Sequence, residues 1–169
     1  MNTIKEYTTF IGIDLLIGYI EKENETIFSS YALISNGKIL HNHRRIAKGW
    51  KEFTKTDFHY KEGTNVKKIN YKGKNIVLAL CKELCDFPDS FKLSQDLLIW
   101  GVYCNYSETQ WVTEEIEYAE FTKTICDKVL LINSISENPD CLGGAWLIDK
   151  GKIESKSPLK KENVLVVEL

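Results

Sequence analysis

Lys74–Pro88, KNIVLALCKELCDFP, is the stretch on which the reading of this 169-residue chain turns. Ile76 to Leu80 run apolar without alternation, the pattern of a strand covered on both faces. The run stops at Cys81, and the residues that follow are polar and turn-forming, with Pro88 disfavouring helix at Phe87. A thiol therefore stands where a core strand leaves its sheet, and open α/β sheets place their sites at the carboxyl ends of strands. The plainer reading of such a thiol is a small buried hydrophobe.

Outward from this stretch the chain alternates strands and turns. Toward the amino end, residues 65–71 pair with 74–81 as a hairpin about Lys72-Gly73. A second hairpin joins 26–35 to 38–46 about Asn36-Gly37, a dipeptide suited to the positive φ values of a tight turn. Residues 3–10 read as the last turns of a helix, and IGIDLLIGYI (11–20) as an apolar strand of the kind covered on both sides. Between the hairpins, residues 47–63 form a long aromatic and charged loop, of a length that points to function.

Toward the carboxyl end, 95–103 repeats the buried-strand pattern, 114–127 predicts a helix with Thr113 as N-cap, and 128–133 is another buried strand ending at Asn133. Strands at 145–149 and 152–155 and a last strand in NVLVVEL (163–169) close the chain. Strands, a helix and further strands make an α/β domain whose sheets are mixed, antiparallel in the hairpins and parallel across the helix.

The composition, 43% hydrophobic and 27% charged, is that of one soluble globular domain over residues 1–169. A net charge of -2 excludes a clustered basic footprint for nucleic acid. No apolar run approaches the roughly 18 residues of a membrane span, and the first residues lack the pattern of a secretory signal, so a cytoplasmic location is expected. The five cysteines, at 81, 85, 104, 126 and 141, read as free thiols rather than a disulfide framework. The four-residue spacing of Cys81 and Cys85 and the alternation of His41 and His43 do not make a metal site, since no second close cysteine pair follows. No metal and no cofactor are expected.

Three polar points fall at strand ends: His43-Arg44-Arg45-Ile46, Cys81 and Asn133, with Tyr60-Lys61-Glu62-Gly63 between the first two. In this order HRRI, YKEG and LALCKEL resemble the nitrilase, or carbon-nitrogen hydrolase, superfamily, as do LLINSIS (130–136), GGAWLIDKGKI (143–153) and NVLVVEL. The resemblance covers essentially the whole chain. It implies a truncated αββα sandwich, because the family's first β-α-β unit, which carries its catalytic glutamate, has no counterpart before Met1. A homodimer, or another partner, is then expected to cover the exposed strand near the amino end.

The same resemblance implies hydrolysis of a small non-peptide amide or nitrile through a cysteine thioester. Cys81 falls at the nucleophile, Lys82 supplies the backbone N–H after it, and Glu62 matches a glutamate that positions substrate. Arg45 falls at the family lysine; it can stabilise an oxyanion by charge but stays protonated at neutral pH. Lys48 is a second candidate for that place. Asn133 corresponds to a residue lining the pocket, and Trp100, like Trp50, reads as core or pocket wall. The other function class is a catalytically incompetent remnant, a pseudoenzyme that keeps the fold for binding or assembly.

Overall fold

The computed structural model describes residues 2–48 and 59–168. Chain contacts divide them into two compact units, Met1–Lys67 and Lys68–Leu169. Trp50 and most of the loop read between residues 47 and 63 lie outside the described residues.

The first unit begins with α1 (Asn2–Ile11), followed by β1 (Leu15–Glu23), β2 (Thr26–Ser35) and β3 (Lys38–Arg44), an antiparallel sheet in the order β1-β2-β3. The expected strand over 11–20 is displaced: the helix runs on to Ile11, Gly12 N–H donates to the Thr8 carbonyl at 3.2 Å, and the strand starts only at Leu15. The β2–β3 turn is as expected, with φ of 44° at Asn36 and 73° at Gly37. β2 is the central strand, and Ala32 and Ile34 are fully buried. Beyond the end of β3, residues 59–61 continue its line, Ile27 N–H donating to His59 and Lys61 N–H to Ile27.

The second unit is built on a six-stranded mixed sheet in the order β11-β10-β7-β6-β5-β4. Its strands are β4 (Lys68–Tyr71), β5 (Lys74–Leu80), β6 (Leu97–Val102), β7 (Lys128–Asn133), β10 (Ala145–Asp149) and β11 (Lys152–Lys156). β5, β6 and β7 run parallel, while β4, β10 and β11 are antiparallel additions closed by the left-handed turns Lys72-Gly73 and Lys150-Gly151. A short helix α2 (Glu83–Asp86) follows β5, and a small hairpin, β8 (Ile135–Glu137) and β9 (Asp140–Leu142), follows β7.

The long helix α3 occupies Glu108–Thr122, six residues earlier than the expected 114–127. Its true N-cap is Ser107, whose hydroxyl accepts from Gln110 N–H while the Gln110 side chain accepts from Ser107 N–H, a reciprocal capping box. The buried stripe is Trp111, Glu115, Ala119 and Thr122. Glu115 is tolerated there because Trp146 Nε1 and Lys156 Nζ both donate to its carboxylate, at 2.7 and 2.6 Å. Trp111 stacks on Trp146 at 4.7 Å, fastening α3 to the sheet. Behind it Leu98, Val129 and Leu131 are fully buried, each such side chain contributing about 1.5–3 kcal/mol.

The last strand read in NVLVVEL is a correction. Residues 163–168 pair with no described strand, and Val164 and Val166 are 80% and 85% exposed. Their β-forming side chains lie along no described sheet edge, and an extended segment without a partner is not a strand. No helix among the described residues is long and apolar enough to cross a membrane.

Candidate active site

β5, β6 and β7 end side by side, bringing Cys81, the Tyr103-Cys104 segment and Asn133 to one edge of the second unit. The chain reverses sharply at Cys81, which adopts φ of 51°. This left-handed conformation costs a non-glycine residue about 1–2 kcal/mol, so the surrounding structure must hold it. Three hydrogen bonds do so. Cys81 N–H donates to the Gly101 carbonyl at 2.7 Å, Trp100 Nε1 donates to the Cys81 carbonyl at 2.7 Å, and Leu80 N–H donates to the Glu83 carboxylate at 2.5 Å.

Glu83 is fully buried, so the residue two places after the thiol braces the turn from beneath. Lys82, exposed, turns its ammonium to Asp86 at 2.7 Å, and its backbone opens α2. Trp100 is 1% exposed; its ring meets Tyr118 edge-on at 5.0 Å, and the Tyr118 hydroxyl bonds that of Tyr106 at 2.9 Å. Cys81 itself is partly exposed.

Asn133 is 4% exposed and all four of its side-chain hydrogen-bonding positions are used. Its Oδ1 accepts from Cys104 N–H at 2.9 Å and from the Cys141 thiol at 3.7 Å, and its amide donates to the carbonyls of Cys104 and Gly143 at 3.2 and 3.3 Å. It locks the strand-end segments together. The single S–H of Cys141 is shared between Asn133 Oδ1 and its nearer acceptor, the Cys104 carbonyl at 3.0 Å. Nothing local in the sequence signals that the topology gathers Cys104 and Cys141, read there only as free thiols, around Asn133.

Burial pushes the Cys104 thiol up to about 12, the neighbouring Cys81 adding to the effect and a hydrogen bond with Tyr118 opposing it. Burial likewise raises the thiols of Cys85, Cys126 and Cys141.

Arg45 and Glu62 belong to the first unit, where the fold brings their segments together: Gly63 N–H donates to the Arg45 carbonyl at 2.8 Å. Gly63 is required, because any Cβ there would collide with the Arg44 carbonyl. Arg45 is 5% exposed. One guanidinium nitrogen reaches the Lys48 carbonyl at 3.4 Å, and Nε has no hydrogen-bond partner among the described residues. Lys48 is itself exposed. Among the described residues no group of His, Cys, Asp and Glu side chains gathers in a way that could hold a metal ion.

No protein-family model and no curated protein matches the sequence. Solved structures do match. A carbon-nitrogen hydrolase superfamily protein from Xanthomonas campestris, with an arsenic adduct in its active site, aligns at a TM-score of 0.72 over 96% of this chain at 17% identity. A mutant amidase from Nesterenkonia, carrying the acetamide moiety of fluoroacetamide on its active-site cysteine, aligns at 0.77 over 94% at 14% identity. The chain carries the carbon-nitrogen hydrolase fold. A glutamine-dependent NAD+ synthetase from Acinetobacter baumannii shares it at 0.76 over 89% of this chain, again at 14% identity. The chain spans only 64%, 62% and 30% of the length of these three proteins. Within the carbon-nitrogen hydrolase fold, the Cys81 turn, the Trp100 brace and the Asn133 lock all belong to the unit built on the six-stranded sheet.

Proposed function

We propose that this chain carries the nucleophile of an amide hydrolase, with Cys81 as the attacking group. The observation that carries the reading is the left-handed backbone of Cys81 at the carboxyl end of a parallel strand. Strain of this kind is stored at functional sites, and it presents a thiol beyond the sheet edge.

In the proposed reaction the Cys81 thiol loses its proton to a base and the thiolate attacks the amide carbon. The resulting oxyanion is stabilised by the backbone N–H of Lys82. Arg45, which the resemblance puts in the place of the family lysine, is buried and keeps an Nε–H without a hydrogen-bond partner among the described residues. The C–N bond breaks, the amine departs with the proton, and water hydrolyses the thioester to the acid and the free thiol. In the family the chain resembles, the base is a glutamate on an earlier strand. Glu62 matches that family's substrate-positioning glutamate, Asn133 holds the rim through Cys104, and Trp100 fixes the Cys81 carbonyl. The amidase match with an adduct on its own active-site cysteine supports thiol chemistry.

A second reading is favoured by one residue. Arg45, where the family has lysine, cannot exchange protons near neutrality. A binding or assembly protein that keeps the fold would tolerate it.

The test is alkylation of the native chain by iodoacetamide across pH, mapped peptide by peptide. Cys104, with its thiol near 12, serves as the slow internal reference. Rapid modification at Cys81, with an apparent midpoint below the ~8.5 of a free thiol, supports the nucleophile. Equal rates at Cys81 and Cys104, or reaction only after denaturation, would leave the binding reading in place.

A further inference from the structure

The first unit holds a cavity of about 540 Å³ beside β3, the edge strand of its sheet, closed from the other side by the segment that returns past Gly63. Its charged lining is His41, His43, Arg44, Lys61, Glu62 and Lys67. The volume is within the usual range of small-molecule sites, about 300–1,000 Å³. The lining is far from apolar.

The charges do not cancel. Arg44 is taken up by Glu21 at 2.6 Å and Glu23 at 3.1 Å, on the β1 side of the sheet. Within the lining itself, the ammonium groups of Lys61 and Lys67 stand against the single carboxylate of Glu62. His41 adds a specific donor or acceptor: its Nε2 is buried and has no hydrogen-bond partner among the described residues. The backbone contributes as well. Arg45 N–H donates to the Ser29 carbonyl, so by the alternation of an antiparallel ladder the amides of Asn42 and Arg44, both residues of the lining, turn away from β2.

We propose that this cavity binds a small oxyanion-bearing molecule, a carboxylate or a phosphate, held by Lys61, Lys67 and Nε2 of His41. Without a ligand, burial first, and then the charges of His43 and Lys67, push the His41 imidazole below its ordinary titration range. An oxyanion at the site acts the other way: it offsets the lysine charges and stabilises the imidazolium, so binding and protonation of His41 reinforce each other. Glu62 and His43 are the other titratable groups of the lining, with Lys61 and Lys67 beside them, while Arg44 lines the cavity with its charge turned to Glu21 and Glu23. The proposal does not depend on Cys81 being a nucleophile.

The experiment is an NMR titration of the full chain with inorganic phosphate and, separately, with acetate, following the His41 ring signals. Saturable binding of one of them, with an upward shift of the His41 titration midpoint, is expected. The anion that saturates names the chemistry. Lys67→Ala and His41→Gln should each weaken binding about tenfold, the loss of one charge-assisted contact, while Lys152→Ala, on the β10–β11 hairpin of the other unit, leaves it unchanged. Failure of both anions to move His41 in the unaltered chain overturns the site, whatever the variants do. Equal weakening by Lys152→Ala reduces it to general charge attraction and overturns it as well.

Discussion

The indole N–H of Trp100 donates to the main-chain carbonyl of Cys81 at 2.7 Å, and the next residue, Gly101, accepts from Cys81 N–H at the same distance. One strand, β6, thus holds the thiol-bearing residue at both its oxygen and its nitrogen. Trp100→Phe keeps the ring and removes the donor. It is expected to lower the unfolding free energy by about 1–3 kcal/mol, the cost of an unsatisfied partner, and to slow Cys81 alkylation relative to the other cysteines. Chemical denaturation and peptide mapping check the two effects separately.

The left-handed backbone at Cys81 separates substitutions that a packing argument would rank the other way. Cys81→Gly should be more stable than Cys81→Ala by about 1 kcal/mol, although it removes more side chain, because glycine carries no penalty there. Cys81→Val should fall below Cys81→Ala. Urea melts of the three variants decide; an order of Val, Ala, Gly from most to least stable would remove the strain from the account of the site.

Acid should weaken the first unit through Glu21. Burial alone would raise its carboxyl, but hydrogen bonds from Arg44, Ser30 and Asn42, together with the guanidinium charge, hold it at about 2, below its ordinary 4.5. A depressed folded value means that the stabilisation is complete above the ordinary carboxyl range and is lost as pH falls toward 2. Between pH 4.5 and 2 the unaltered chain should therefore lose more stability than Glu21→Gln, which has no charge to lose. Parallel pH series of denaturation midpoints measure the difference.

Two glycines give a matched comparison. Gly63→Ala drives a methyl group into the Arg44 carbonyl and disturbs the bond from Gly63 N–H to Arg45. A cost of about 1–3 kcal/mol is expected, as for other overpacked sites. Gly73, at φ of 82°, has open space where a Cβ would go, so Gly73→Ala bears only the backbone penalty of about 1 kcal/mol. Thermal melts of both, with the anion titration repeated on Gly63→Ala, show whether the loop past Gly63 shapes the cavity.

Much of the second unit was legible in order along the chain. The run Ile76–Leu80, the turns at Lys72-Gly73 and Lys150-Gly151, and the strand 128–133 are local signals, and each stands where its residues place it. The start of α3 was not legible in the same way. Its buried stripe includes Glu115 and Thr122, so counting apolar residues begins the helix too late. Glu115 can be buried only because Trp146 and Lys156, more than thirty residues away, come to meet it. The end of the chain misled in the opposite sense, since β propensity in NVLVVEL states a willingness to pair and says nothing of a partner.

The hairpins, the parallel core strands and the thiol at the end of one of them could be read along the chain, because they follow from side-chain period and from the φ values that Asn and Gly permit. The left-handed backbone of Cys81 braced by Trp100, the amide of Asn133 spent on Cys104, Gly143 and Cys141, and the cavity beside β3 could not. Each of these rests on hydrogen bonds or charges between residues distant in the chain, and their energies exist only once the sheets have assembled.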